Sequence, residues 1–142
     1  MTDFVFRRRF AIEWGHCDPA GIVFNARFYE FFDRGAWLMF EAALGVPAHE
    51  LSKTYDIVGI PLVEARAKFI SPAAFGDLID MESRIVEFRR SSFNVGHRLF
   101  VGDRLAVEGS ETRVWASRHP DDPSRMKARA IPDDVVAKFK TV

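Results

Sequence analysis

One carboxylate stands in a short loop of small residues near the start of the chain. It is Asp18, within Trp14-Gly15-His16-Cys17-Asp18-Pro19-Ala20-Gly21-Ile22-Val23-Phe24-Asn25. A strongly apolar segment follows, and a helix that begins near Asn25 would present unpaired N–H groups beside the loop. Asp18 could attack a carbonyl carbon, or activate a water to do so, while N–H groups near Phe24 and Asn25 hold the oxyanion. Taken alone, an Asp before Pro is more typical of an Asx turn or a helix cap.

The residues next to Asp18 offer two further chemistries. His16, Cys17 and Asp18 are all metal-ligand types, but the side chains of neighbouring extended residues point apart and do not converge easily on one ion. The remaining histidines show no ligand spacing with them: His49, His97 and His119. A nucleophilic Cys17 would need a partner base, and a buried inert thiol is the alternative. We expect no metal site and no cofactor, and a single cysteine excludes an internal disulfide.

Charge and composition exclude several classes of partner. The 20 basic and 20 acidic residues give a formal net charge of 0, so no overall field attracts nucleic acid or a membrane. The N-terminal residues lack the apolar core of a signal peptide, and no run approaches the ~18 apolar residues of a membrane span. We expect a soluble, cytoplasmic protein with one domain over residues 1–142. Its 14 Phe suit a large core, an oligomeric interface or an apolar pocket.

Hydrophobic periodicity divides the chain into one long helix and five strands. Alternation of apolar and polar residues predicts the strands. The predicted strands are residues 4–14, 57–69, 78–88, 92–101 and 104–117, the long helix is 26–44, and a short helix is 132–140. Because four strands follow the long helix through short turns, we predict an α+β fold. In it, a five-stranded antiparallel sheet packs its concave face against that helix.

The long helix ends at Gly45, and its polar side chains form only a narrow arc. A helix this apolar is expected to be buried almost all round. Asp33 lies on the apolar arc, where a carboxylate without partners is costly. Two interpretations remain open for it: a salt bridge or hydrogen bond from another strand, or contact with a polar group of a ligand.

A basic bend separates the third and fourth predicted strands. Its residues are Arg89-Arg90-Ser91-Ser92. Two guanidinium groups and two hydroxyls suit phosphate binding. A solvated turn explains the same residues equally well.

Four segments of the chain resemble a known family. Gly15-His16-Cys17-Asp18-Pro19-Ala20-Gly21-Ile22-Val23, followed by Phe31-Phe32-Asp33, closely resembles the hotdog-fold acyl-CoA thioesterases of the 4-hydroxybenzoyl-CoA thioesterase type. The resemblance extends to Gly59-Ile60-Pro61-Leu62-Val63 and Glu87-Phe88-Arg89-Arg90-Ser91-Ser92-Phe93, and covers most of the chain in order. It implies a hotdog fold and hydrolysis of an acyl-CoA, such as the aromatic 4-hydroxybenzoyl-CoA. It also implies a homodimer, with dimers pairing into a homotetramer.

The resemblance also implies roles for single residues. Asp18 matches the catalytic carboxylate, as nucleophile or general base, and the backbone N–H of Asn25 matches the oxyanion donor. The acyl group would contact Asp33, Phe24, Phe28 and Ile60. The phosphates of CoA would contact Arg89, Arg90, Ser91 and Ser92.

Three departures from the 4-hydroxybenzoyl enzyme concern the acyl group rather than the reaction. His16 replaces an acidic residue, Ile60 replaces a hydroxyl residue, and Asn25-Ala26-Arg27-Phe28 replaces a more aromatic, proline-containing helix start. Two alternatives to hydrolysis also stay open. One is a hotdog protein that binds acyl-CoA without turnover, and the other is a hotdog hydratase or dehydratase that pairs a carboxylate with His16.

Overall fold

A curved sheet of five antiparallel strands packs against one long helix in the computed structural model, which describes residues 4–140. The strands are β1 (Val5–Ala11), β2 (Leu62–Phe69), β3 (Leu78–Phe88), β4 (Ser92–Val101), β5 (Arg104–Val114), β6 (Ala116–Arg118) and β7 (Met126–Ala128). The helices are α1 (Asn25–Leu44), α2 (Leu51–Tyr55) and α3 (Asp133–Lys138), with single 3-10 turns at Trp14–His16 and Ala48–Glu50. The hotdog fold predicted from the sequence is confirmed.

The strand order of the large sheet is β1-β3-β4-β5-β2, so β1 and β2 lie at its two edges. The hairpin between β4 and β5 turns at Gly102, whose φ of 60° favours glycine. β2 pairs with β5, from Phe69 opposite Val107 to Leu62 opposite Arg113. Within residues 4–140, the outer edge of β2 has no partner strand, and such an edge is a template for pairing with another chain.

The core lies between α1 and the concave face of the sheet. Alternate residues of β3 and β4 point inward, as the period of two predicts. The inward side chains with no exposed surface include Ile79, Ile85, Phe93, Val95 and Leu99. Phe32 of α1 lies where a Cβ on Gly109 would stand, so the glycine allows the ring to pack directly on β5.

Three strand boundaries, one hairpin and one burial pattern differ from what the sequence predicts. β1 ends at Ala11 because Trp14–His16 form a 3-10 turn, and β2 begins only at Leu62. β5 ends at Val114, and the short hairpin of β6 and β7 was not predicted. The expectation that the helix is buried almost all round is wrong. One sheet covers one side of α1, and the opposite side is exposed at Ala26, Tyr29, Glu30, Asp33 and Arg34.

Among residues 4–140, no helix is both long and apolar enough to cross a membrane.

Candidate active site

The Asp18 loop is a tight turn closed by its own backbone. The Gly21 N–H donates to the Asp18 carbonyl and the Asp18 N–H donates to the Ile22 carbonyl, both at 2.9 Å. The Ala20 N–H donates to Oδ1 of the Asp18 carboxylate at 2.8 Å, which is an Asx turn. Among residues 4–140, no donor binds the second oxygen, Oδ2. The turn therefore fixes a half-buried carboxylate and leaves one of its oxygens available.

The loop is anchored to the segment that precedes β3. The Val23 N–H donates to the Ala73 carbonyl at 2.8 Å, and the Phe75 N–H donates to the Gly21 carbonyl at 3.0 Å. Trp14 packs edge-on against Phe75, with ring centroids 5.4 Å apart. These contacts hold the loop against the sheet independently of any ligand.

Among the residues that the structure describes, no base contacts the Cys17 thiol. Its Sγ donates to the Glu13 carbonyl at 3.6 Å. Nδ1 of the neighbouring His16 accepts the Glu13 N–H at 2.9 Å, and the His16 ring packs edge-on against Phe31. A nucleophilic Cys17 lacks the partner that it would need. Within the described part of the chain, no three His, Cys, Asp or Glu side chains form a cluster that could hold a metal ion.

Within residues 4–140, two backbone N–H groups at the start of α1 have no acceptor. The Phe24 N–H donates to the His16 carbonyl at 2.9 Å, so it is not free to hold an oxyanion. The Arg27 N–H returns to the Phe24 carbonyl at 2.9 Å. The N–H groups of Asn25 and Ala26 have no intrahelical acceptor, as expected at the first turn of a helix, and none elsewhere in residues 4–140. They form the positive end of a 20-residue helix.

An apolar cleft of about 260 Å³ opens beside this helix start. It brings Asn25 and Phe28 together with Phe69 and Ile70 from the end of β2. The rings of Phe28 and Phe69 are 5.8 Å apart, at a tilt of 56°. Sequence analysis missed Phe69 and Ile70, although an apolar pair at the end of an alternating strand was a usable signal.

Two predicted contact residues lie outside this cleft. Phe24 is the N-cap of α1, and 52% of its surface is exposed. Ile60 is only 3% exposed and packs in the core, and its carbonyl accepts a hydrogen bond from Arg113. The protomer alone therefore does not bring Ile60 together with the Asp18 loop.

Asp33 is exposed rather than buried, and it forms a salt bridge. Nη2 of Arg113 donates to its Oδ1 at 2.8 Å, and the Asp33 side chain is 59% exposed. The salt bridge was one of the two interpretations left open by the sequence, and the expected burial was wrong. The Arg113 side chain is only 2% exposed.

Behind Asp33 runs a buried polar chain that sequence analysis missed. Arg113 donates to both carboxylate oxygens of Glu111, at 3.2 and 2.7 Å. Oε1 of Glu111 also lies 2.8 Å from Nε2 of His97, whose Nδ1 lies 2.8 Å from the Ser83 hydroxyl. Three of these residues occupy inward positions of β4 and β5, and a charged residue in an inward register is the signal that could have found them.

The protonation states of His97 and Glu111 follow from their burial and their hydrogen bonds. Burial lowers the pKa of His97, so the imidazole is neutral at neutral pH. Burial alone would raise the pKa of Glu111, but hydrogen bonds from His97 and Arg113 outweigh it and hold the pKa below its ordinary value. Because an ionised carboxylate only accepts, the neutral His97 donates from Nε2 to Glu111 and accepts from Ser83 at Nδ1.

The two arginines of the basic bend differ: Arg89 is held by hydrogen bonds, and Arg90 is exposed. Arg89 donates to Ser92, Glu87 and Asn94, at 2.9, 2.7 and 2.6 Å. The carbonyls of Arg90 and Ser91 accept the N–H groups of Ile131 and Trp115, both at 2.8 Å. The Arg90 side chain is exposed, and it has no ion pair within residues 4–140. The β6–β7 hairpin lies against this bend, and a cleft of about 340 Å³ beside it is lined by Arg118, Lys127 and Arg129 among others.

Comparison with known proteins gives consistent relatives. Residues 12–139 match the family described as the Thioesterase-like superfamily. The 4-hydroxybenzoyl-CoA thioesterase of Pseudomonas sp. (strain CBS-3) is 32% identical over 130 residues, which are 88% of this chain and 90% of that protein.

Solved structures agree over nearly the whole chain. A 4-hydroxybenzoyl-CoA thioesterase variant complexed with 4-hydroxybenzoyl-CoA has a TM-score of 0.87 and 28% identity, and the match covers 97% of this chain and 100% of that one. A gentisyl-coenzyme A thioesterase has a TM-score of 0.80 and 29% identity, with 94% of this chain and 99% of that one covered.

Proposed function

This chain belongs to the Thioesterase-like superfamily, and we propose that it is an acyl-CoA thioesterase that hydrolyses an aromatic acyl-CoA to the free acid and CoA. The observation that carries the proposal is the Asp18 carboxylate. One of its oxygens is held by Ala20 and the other is available, in a loop that leads directly into the start of α1. 4-Hydroxybenzoyl-CoA is the first substrate to test, because a relative 32% identical carries that name.

Two routes are consistent with this geometry. As a general base, Asp18 takes a proton from water while the water oxygen bonds to the thioester carbon. As a nucleophile, Asp18 bonds to that carbon itself, and water then hydrolyses the resulting anhydride. In both routes the C–S bond breaks, and the sulfur leaves as a thiolate that takes up a proton. The N–H of Asn25 holds the oxyanion that forms on the carbonyl oxygen.

The aromatic cleft supports an aromatic acyl group. Phe28 and Phe69 supply ring faces and edges, which pack well on another ring. Phe24 lies at the helix cap next to the cleft, and Ile60 backs the segment that leads into β2. Asp33 lies on the exposed face of α1 and offers a carboxylate oxygen to a hydroxyl of the substrate.

We further propose that the active unit is a homodimer formed through the free edge of β2. Four apolar side chains on and next to this edge are 47–65% exposed: Leu62, Val63, Phe69 and Ile70. If two copies of β2 pair antiparallel about Arg66, Glu64 of each copy faces Lys68 of the other. The two Arg66 residues then face each other. The positive charge of each is offset by Glu64 of the same chain, whose Oε1 lies 3.2 Å from the Arg66 Nε.

This pairing would also complete the cleft. It places Leu62 and Val63 of the second copy beside Phe69 and Ile70 of the first, at the open side of the cleft with Phe28. The segment that contains Ile60 then approaches the substrate of the other copy rather than its own. A tetramer of two dimers rests on the family resemblance alone, and a cytoplasmic location rests on the sequence pattern alone.

The carrier would bind at the basic bend. Arg90 is exposed, forms no ion pair with any residue from 4 to 140, and suits a CoA phosphate. Arg89 and Ser92 bind each other at 2.9 Å and shape the bend, and Ser91 adds a hydroxyl. The basic hairpin behind the bend supplies further positive charge.

A hydrolysis screen tests the proposal. Release of free CoA thiol is measured with 4-hydroxybenzoyl-, benzoyl-, phenylacetyl- and medium-chain acyl-CoA. We expect turnover of the aromatic thioesters that disappears in Asp18→Asn. Binding of all four without turnover by the unaltered protein would favour the non-catalytic alternative instead. The hydratase alternative has little support, because His16 is engaged with Glu13 and Phe31.

A further inference from the structure

Arg113 joins three segments that are far apart in sequence. Its side chain donates to the Asp33 carboxylate on α1 at 2.8 Å and to the Ile60 carbonyl before β2 at 2.9 Å. It also holds Glu111 on its own strand through two hydrogen bonds. Asp33 is 80 residues away along the chain. One buried guanidinium therefore fixes the Asp33 side chain and the segment that contains Ile60 relative to each other.

The charges of the buried residues behind Asp33 compensate its carboxylate only in part. Arg113 carries one positive charge, and the buried Glu111 takes it in a two-point pair at 2.7 and 3.2 Å. His97 adds no charge, because burial keeps it neutral. Two carboxylates thus share one guanidinium, and the surplus negative charge lies at Asp33, the exposed member. Within residues 4–140, its Oδ2 has no hydrogen-bond donor.

The chain Ser83–His97–Glu111 has the order of a nucleophile, a base and an acid. It does not act as one, because Ser83 is 1% exposed and His97 is 1% exposed, so no substrate reaches the hydroxyl. Phe32 also covers His97, with the two rings stacked 5.0 Å apart. The role left for these three side chains is to hold Arg113 in place.

We propose that Arg113 is a positioning residue for acyl-group selectivity, which fixes the Asp33 carboxylate so that it accepts a hydroxyl of the substrate. This inference rests on the proposed function. A carboxylate on an exposed helix face would otherwise sample several rotamers and lose that freedom on binding. Because Arg113 has already ordered Asp33, a hydroxylated acyl group gains a hydrogen bond without that cost, and an unsubstituted one gains nothing.

The test compares two substrates in Arg113→Lys. Lysine keeps the charge but cannot donate to Asp33, Ile60 and Glu111 with one planar group. We expect kcat/KM for 4-hydroxybenzoyl-CoA to fall roughly tenfold more than kcat/KM for benzoyl-CoA, mainly through KM. Arg98→Lys is the matched control, because Arg98 is an exposed β4 arginine that is paired with the carboxylate of Glu82. We expect its selectivity to be unchanged.

A double-mutant cycle separates positioning from a general structural role. In an Asp33→Ala background, Arg113→Lys should change the substrate ratio no further, because the acceptor that Arg113 positions is already lost. Equal losses on both substrates, or the same ratio change with and without Asp33, would overturn the inference. If Arg113→Lys does not fold, Glu111→Asp is measured in the same way. Its side chain is one methylene shorter, so its carboxylate holds the Arg113 guanidinium less well.

Failure of this inference and failure of the proposed function look different. A protein that hydrolyses both thioesters with an unchanged ratio in the variants overturns the role of Arg113 alone. A protein that hydrolyses no acyl-CoA overturns both.

Discussion

The backbone N–H of Ala20 donates at 2.8 Å to the carboxylate of Asp18, which lies two residues earlier in the same loop. The turn therefore uses one oxygen of the side chain as a structural acceptor and leaves the other available. An Asx turn and a catalytic carboxylate, which the sequence presents as alternatives, are compatible in one residue.

Asp18→Asn should abolish turnover while the fold survives. The amide oxygen still accepts from Ala20, so the free energy of unfolding should change by less than about 0.5 kcal/mol. The amide can neither attack a thioester nor take a proton from water, so kcat should fall at least ~100-fold. Asp18→Ala is the companion variant, which should lose activity equally and some stability as well. Full hydrolysis in Asp18→Ala would remove Asp18 from the mechanism.

Acid should destabilise the protein in two stages. The folded state holds the pKa of His97 below the ordinary 6.5, so the unfolded chain binds a proton first, and stability falls as the pH drops below about 6.5. Glu111 is held below its ordinary 4.5, so a second loss begins near that pH. Each unit of lowering is worth about 1.4 kcal/mol.

Chemical denaturation between pH 8 and pH 4 measures this dependence. His97→Gln should flatten the first stage, whereas His49→Gln, at an exposed position, should leave it unchanged. A free energy of unfolding that stays constant from pH 7 to pH 5 would contradict the neutral, buried His97.

Charge reversal on β2 should control the dimer. In the proposed pairing about Arg66, Glu64 and Lys68 face each other across the interface, so Lys68→Glu or Glu64→Lys alone brings like charges together. We expect either variant to lower the molar mass towards that of the monomer in light scattering at micromolar concentration. The double variant restores opposite charges and should restore the dimer.

Lys127→Glu on β7 is the control for this experiment, since it changes the charge equally at an exposed position outside the large sheet. A wild-type protein that is monomeric at micromolar concentration would exclude the β2 interface.

Arg90→Ala should weaken binding of the carrier. The expected result is a several-fold increase in KM for acyl-CoA with kcat nearly unchanged, because Arg90 would contact the phosphates and not the reacting atoms. A thioester of N-acetylcysteamine, which has no phosphates, should not respond. Arg84→Ala, at an exposed position of β3, serves as the control. An equal effect of Arg90→Ala on both thioesters would place the phosphates elsewhere.

Local patterns in the sequence were enough to predict most of the fold. The alternation of β3 and β4 gave both strands their observed bounds, Leu78–Phe88 and Ser92–Val101. Gly45 marked the end of α1, where it adopts a φ of 70°. These features depend on residues two to four positions apart, which the chain itself fixes. The β6–β7 hairpin was not predicted, because strands of three residues are too short to show an alternation of apolar and polar residues.

Only the tertiary structure decided which distant residues meet. The register of β5 places Arg113 beneath Asp33, and the end of β2 places Phe69 against Phe28. It also decided that Asp33 is exposed, since one sheet cannot cover both sides of a helix. The sequence by itself determined the elements and the Asp18 loop, because local sterics and hydrogen bonds act over a few residues. The cleft and the buried Arg113 chain depended on packing between strands and helix, which no spacing along the chain encodes.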